Sequence, residues 1–221
     1  MKDIEFITDD PLIAEHFSPK PASECLPKWY KDLPSIDLAK SEGKINAKHC
    51  LPMSDMINAG YIIFNAYQVQ LEERFVNYQN MLYMSTMKQP NSNDIKTFTH
   101  SQCPFTSSNK DMFKIKLDWK IKTPPGYSCL IQQPTYLPTS KYQLLPSIID
   151  TDTFDDFISI SGFVTAQGEI YLNPGEPLLQ IIPFKRDNWK MSTSISTVKS
   201  KMSHFLFNGY KRLFHQPKKF I

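Results

Sequence analysis

The stretch Met112–Pro134, MFKIKLDWKIKTPPGYSCLIQQP, decides the fold class. Phe113, Ile115, Leu117, Trp119 and Ile121 take every second position, and Lys114, Lys116, Asp118, Lys120 and Lys122 fill the gaps. Side chains of a strand point alternately to its two faces, so this period of two predicts a half-buried strand with the five apolar residues on one sheet face. Thr123-Pro124-Pro125-Gly126 then stops it. Pro125 presets φ at the first central position of a β-turn and Gly126 supplies a positive φ at the second, the requirement of a type II turn. Prolines bring no N–H to a ladder, so they sit where pairing ends. YSCLIQQP reads as a second strand. A loop wrapped round a substrate and the corner of a β structure both fit such a pattern; the turn chemistry favours the corner.

The sequence upstream reads as a wrapping arm over residues 1–50. In TDDPLIAEHF, Asp9 or Asp10 is an N-cap and Pro11 stands at the first helical position, so a short helix is expected. Prolines 19, 21, 27 and 34 then break the chain into extended pieces, with one helical turn around Lys28 to Leu33 and with Trp29, Tyr30 and Leu33 as anchors. SDMINAGYIIFNAYQVQ is a short helix capped by Gly60 that becomes a strand with apolar residues on both faces, as a central strand has. Downstream, YQLLPSIIDTDTFDDFISISGFVTAQGEIYLNPGEPLLQIIPFKR is a series of short strands. They break at Pro146, at the acidic run Asp150–Asp156, at Ala166-Gln167-Gly168 and at Asn173-Pro174-Gly175. That spacing reads as a sandwich or barrel, not as βαβ units. Near the end, Ile195, Val198, Met202 and Phe205 recur at helical spacing and predict an amphipathic helix.

Composition agrees with a mainly β chain of 221 residues. It is 41% hydrophobic and 13% aromatic, enough for a folded core, and its 17 prolines against 7 glycines favour extended connections over long helices. No run of about 18 apolar residues occurs, so no membrane-spanning helix is expected. The start, MKDIEFITDD, carries acids where a secretory leader needs basic and then apolar residues, so a cytosolic origin is expected. Net charge is +3, but seven basic residues and no acid lie between Asn188 and Ile221, so residues 1–187 carry a net −4. Such a tail either docks on something acidic or is a solvated face. Within it Lys199, Lys201, Lys211 and Arg212 are the candidate contacts for a polyanion or partner.

The candidate chemistry is sparse. No Walker-type phosphate loop, GxGxxG, GxSxG or HExxH occurs, which argues against P-loop and dinucleotide enzymes and says little about small hydrolases. Asp150, Asp152, Asp155 and Asp156 form the densest carboxylate cluster; its oxygens would suit Mg²⁺ or Ca²⁺, but it lacks the glycine and spacing of a calcium loop, and a solvated β-turn with helix-capping aspartates is the favoured reading. His100, in FTHSQCPF, is a candidate base or ligand, or a hydrogen-bonded loop residue. The four cysteines include no CxxC pair. The spacing of His49, Cys50, His100 and Cys103 is irregular for zinc, so reduced thiols and no metal are expected. Lys114, Lys116, Lys120 and Lys122 line one strand face without interleaved aromatics to stack bases, so nucleic acid is not favoured as a partner.

The blocks PASECLPKWYKDLP, KHCLPMSDMINAGYIIF, WKIKTPPGYSCLIQQP, IIDTD and LNPGEPLLQIIPFKR resemble those of an uncharacterised protein family of T4-like tailed phages, notably of marine bacteria, with bacterial relatives. The resemblance runs from about Pro21 to Arg186 and implies a phage setting: the host cytoplasm or the virion. The order of the later blocks is also similar to β-clip proteins of the trimeric deoxyuridine triphosphatase and deoxycytidine triphosphate deaminase type. That likeness puts Asp150 and Asp152 near one active-site block, and Gly175, Glu176 and Gln180 near another. The glycine and the tyrosine-x-glycine that flank the enzymes' aspartate are missing, and so is their glycine-rich C-terminal arm. The likeness implies architecture and not catalysis.

The expectation is therefore a mainly β protein. It has a sandwich or β-clip/barrel-like core at 51–187, a proline-rich N-terminal arm at 1–50 and a basic amphipathic helix and tail at 188–221. It would act as a homo-oligomer in binding or assembly, with other phage or host proteins as further partners. No membrane, cofactor or catalytic step is expected. The alternative is an enzyme or sequestering protein for a nucleotide or small metabolite. For that role Asp150, Asp152, Glu176, Gln180 and His100 are the candidate site residues.

Overall fold

A computed structural model describes residues 3–34, 46–74, 79–85, 95–98, 101–102, 112–137, 139, 141–166, 169–195, 215–216 and 218–221. The chain is mainly β. Its strands are β1 (Glu5–Ile7), β2 (Lys20–Pro21), β3 (Tyr61–Phe64), β4 (Gln68–Arg74), β5 (Gln79–Ser85), β6 (Ile95–Phe98), β7 (Met112–Lys116), β8 (Lys120–Lys122), β9 (Tyr127–Gln132), β10 (Tyr142–Leu144), β11 (Ser147–Ile149), β12 (Ser159–Val164), β13 (Glu169–Leu172) and β14 (Pro177–Lys185). Three short helices, α1 (Pro11–His16), α2 (Lys28–Asp32) and α3 (Leu51–Ile57), lie in the first third.

The described strands form antiparallel sheets in the orders β11-β9-β14-β3-β2, β10-β12-β7-β6, β13-β4-β5 and β1-β8, and none closes into a barrel. One core joins them, built on Ile63, Phe113, Ile115, Trp119, Ile121, Ile131, Ile158, Ile160, Leu179 and Ile181.

The alternating stretch is two strands, not one. The chain bends at Leu117–Trp119 because its pairing partners change: β7 lies between β12 and β6, whereas β8 pairs with β1. Ile158 spans the bend, accepting from Leu117 N–H at 2.8 Å and donating to the Trp119 carbonyl at 2.9 Å. Alternation survives it. Phe113, Ile115, Trp119 and Ile121 are buried in the common core, and Leu117 packs against them half-buried.

The arm is pinned where its aromatics fall. Asp10 caps α1, its carboxylate accepting from Leu12 N–H at 2.9 Å, with Pro11 at the first helical position. Trp29 donates to the Tyr136 carbonyl at 2.9 Å, and the Tyr30 hydroxyl meets Ser54 Oγ at 3.1 Å. Gly60, at φ +69°, turns α3 into β3 directly over β14. Residues 187–195 carry no regular secondary structure. Of the apolar stripe of the expected C-terminal helix only Ile195 falls among the described residues, in a stretch that is not helical there; Val198, Met202 and Phe205 lie outside them. No helix of the described chain is long and apolar enough to cross a membrane.

Candidate functional site

The Pro124–Tyr127 turn is a corner. Tyr127 N–H donates to the Pro124 carbonyl at 3.2 Å, and Gly126 has φ +83°. The strands on either side of the turn belong to different sheets, β8 beside β1 and β9 between β11 and β14. Three strand ends meet here: the start of β9, the end of β11 and the end of β14.

Arg186 ties them together. Its guanidinium grips both oxygens of Asp152, with the Nη1–Oδ1 contact at 2.8 Å, and reaches Asp150 Oδ1 at 3.1 Å, Ser128 Oγ at 3.1 Å and the Tyr127 carbonyl at 3.2 Å. Asp152 also accepts from Gly126 N–H at 2.8 Å, and Arg186 N–H donates to the Gly126 carbonyl at 2.9 Å. Ser128 Oγ donates to Asp150 Oδ1 at 2.6 Å. Beneath lies a hydroxyl pair, half-buried Thr123 Oγ1 and buried Thr151 Oγ1 at 2.7 Å, with Thr151 Oγ1 3.4 Å from the Cys129 thiol. The Arg186 hydrogen bonds, and then the Gly126 amide, hold the Asp152 carboxyl down to about 2. Burial pushes the Cys129 thiol up.

The other two aspartates of the acidic run face the lysine stripe. Asp156 meets Lys116 at 3.0 Å; Asp155 meets Lys122 at 3.1 Å and Lys120 at 3.9 Å. Hydrogen bonding to Lys122 lowers the Asp155 carboxyl and hydrogen bonding to Lys116 lowers that of Asp156. Lys116 and Lys120 also stand over the Phe157 ring, 5.4 Å and 5.1 Å from its centroid. Each of the four carboxylates thus has a fixed cation beside it.

Glu176 and Gln180 lie elsewhere. Glu176 closes the turn before β14, accepting from Asn173 N–H at 3.2 Å and from Asn173 Nδ2 at 2.8 Å. Gln180 is 2% exposed and donates to the carbonyls of Met56 and Ala59, each at 2.9 Å, at the end of α3. It precedes Arg186 by six positions, roughly 20 Å along an extended chain. Asp150 and Asp152 are therefore brought together, while Glu176 and Gln180 each serve a different joint. His100, Cys103, Lys199, Lys201, Lys211 and Arg212 lie outside the described residues. His49 Nδ1 is 3.1 Å from Asn46 Oδ1. Sequence reasoning missed Arg186, because no local pattern links it to an acidic turn 34 residues earlier.

Two further surface features stand out among the described residues. One is a narrow apolar cleft between α1, the end of β3 and the β7–β8 bend, lined by Phe64, Tyr67, Trp119 and Leu178 with Lys116 and Asp118. The other follows Arg186. Trp189, Met191 and Ile195 are 90%, 87% and 95% exposed.

No protein-family model and no curated protein matches the chain. Among solved structures, the chain is similar to the native dUTPase of EIAV at 13% identity and TM-score 0.38, over 64% of this chain and 87% of that one. A mutant dUTPase from phage phi11 of S. aureus aligns at 14% identity and TM-score 0.37, over 83% of this chain and 99% of that one.

Proposed function

We propose that this chain is a binding and assembly protein that works as a homo-oligomer in a phage-infected cell, without a catalytic centre of its own. The observation that carries the reading is the segment after Arg186, where Trp189, Met191 and Ile195 stand almost fully in solvent at odd-numbered positions. Burying a side chain of this class is worth roughly 1.5–3 kcal/mol, so three together are a strong drive towards a partner surface. The charge pattern favours a second copy. The segment from Asn188 on is purely basic, and residues 1–187 carry a net −4. Pairing of the four aspartates of the acidic run with Arg186 and lysines supports a role in holding the fold over one in acid–base chemistry.

Light scattering of the full chain tests this against Trp189→Ser/Met191→Ser/Ile195→Ser. A multiple of the monomer mass that falls towards the monomer in the variant is expected. A monomer at all concentrations would refute it.

A second reading is a β-clip-type protein that binds or acts on a nucleotide or other small metabolite. The cleft beside Phe64 and Tyr67 supports it as an apolar recess that a small ring could enter. A thermal-shift screen against nucleotides with Mg²⁺ separates the two. A ligand-specific rise in melting temperature selects the second reading, by linkage.

A further inference from the structure

The last residues of the chain return to the body and close on one carboxylate. His215 Nε2 lies 3.0 Å from Asp55 Oδ1, and Lys218 Nζ lies 2.5 Å from Asp55 Oδ2. Next to this pair Phe220 stands edge-on to Tyr61 with ring centroids 6.2 Å apart, and the Tyr61 hydroxyl donates to the Ile221 carbonyl at 3.2 Å. Tyr61 in turn meets Phe6 edge-on at 5.4 Å, so the tail's final aromatic joins a row that begins on β1. Asp55 sits on α3, whose preceding residue Ser54 is fixed by the Tyr30 hydroxyl. The carboxylate is thus presented from a braced element, and both of its oxygens are engaged by residues 160 and 163 positions later.

We propose that Asp55 is a clasp that holds His215, Lys218, Phe220 and Ile221 on the body and that it opens in acid. The contacts of these four residues converge on α3 and β3, through both Asp55 oxygens, the Tyr61 ring and the Tyr61 hydroxyl.

The sign of the pH effect follows from the groups around Asp55. Those acting on it are His215 and Lys218 from the tail. Burial of Asp55 works to raise its pKa, but hydrogen bonds from His215 and Lys218 and the Lys218 charge outweigh it, so the carboxyl stands below its ordinary value. A group with a lowered folded pKa stabilises above its unfolded value of about 4, and that contribution is lost as pH falls through the folded one. The clasp is closed at neutral pH, and its hold weakens progressively as pH falls below about 4.

Nuclear magnetic resonance of the full chain tests it. The Phe220 ring, the Ile221 methyl signals and the amide exchange of residues 215–221 would be followed from pH 7 to pH 3. Asp55→Asn is compared with the tail-side double variant His215→Ala/Lys218→Ala, which leaves α3 untouched should the first fail to fold. At pH 7 both variants should exchange their tail amides faster by about tenfold or more, and the wild type should shift towards the same state in acid with its body still folded. A tail that stays protected in the double variant at pH 7 would overturn the clasp.

Discussion

Arg186 lies one residue past the end of β14 and grips both oxygens of Asp152, 34 positions earlier, across the start of β9. The pair closes the corner that Pro124, Pro125 and Gly126 turn, and Asp152 also holds the Gly126 amide at 2.8 Å. Its side chain is 6% exposed, so the ionised carboxyl depends on these donors. The folded value of about 2 lies below the ordinary carboxylate value. Stability is therefore present above about pH 4 and is lost as pH falls towards 2. Melting temperature should drop over that window in the wild type, and Asp152→Asn should melt lower at pH 7 with a flatter acid limb. An unchanged acid limb in the variant would rule out this role for Asp152.

Two glycines with positive φ should respond very differently to alanine. A Cβ on Gly60 would lie 1.9 Å from the Ile181 carbonyl oxygen, backbone against backbone, at φ +69°. Gly60→Ala should cost at least about 2–3 kcal/mol, because the left-handed strain adds to a clash that only moving α3 off β14 relieves. Gly126, at φ +83°, has nothing within 4 Å of such a Cβ. Gly126→Ala should cost only the backbone term, about 1 kcal/mol. Denaturant midpoints of the two variants measure the difference, and equal losses would contradict it.

What the sequence disclosed here was local. The alternation from Phe113 to Ile121, the Asp10–Pro11 helix start and the Pro125–Gly126 turn are each set by residues within a few positions of one another, and each formed as their chemistry requires. The bend at Leu117–Trp119 was not legible, because it follows from β7 and β8 taking different partners, β12 and β1. The site residues were hidden for the same reason. Asp150 and Asp152 look like a loose acidic turn until Arg186 arrives from β14. Gln180 looks like part of a ligand block until α3, more than 120 residues earlier, is set beside it. Asp55 and His215 have no pattern in common along the chain.

Tyr142 provides a test at the alkaline end. Burial, and then the Glu176 charge, push its phenol up to about 12. A folded pKa above the unfolded value of about 10 gives stability that is present below pH 10 and lost as pH rises from there towards 12. Tyr142→Phe should remove that alkaline decline at small cost near pH 7. Phenolate absorbance against pH, read beside the melting curve, checks it; ionisation of Tyr142 near pH 10 in the folded protein would contradict it.

Gln180 should prove structural. Its amide nitrogen donates at 2.9 Å to the carbonyls of both Met56 and Ala59, where α3 ends, and its oxygen accepts from Gln132 at 3.4 Å. These carbonyls lie beyond the last intrahelical donors, so a buried side chain from β14 satisfies them in place of water. Met56 also accepts from Ala59 N–H at 3.3 Å, which leaves the Ala59 carbonyl as the group most dependent on Gln180. Gln180→Leu keeps much of the volume and removes both donors, and should cost about 1–3 kcal/mol. Gln132→Leu gives up only the partly exposed partner and should cost less than about 1 kcal/mol. Amide exchange should quicken across α3 in the first variant and not in the second. If Gln180→Leu kept full stability and α3 protection while small-molecule binding was lost, Gln180 would belong to a ligand site after all.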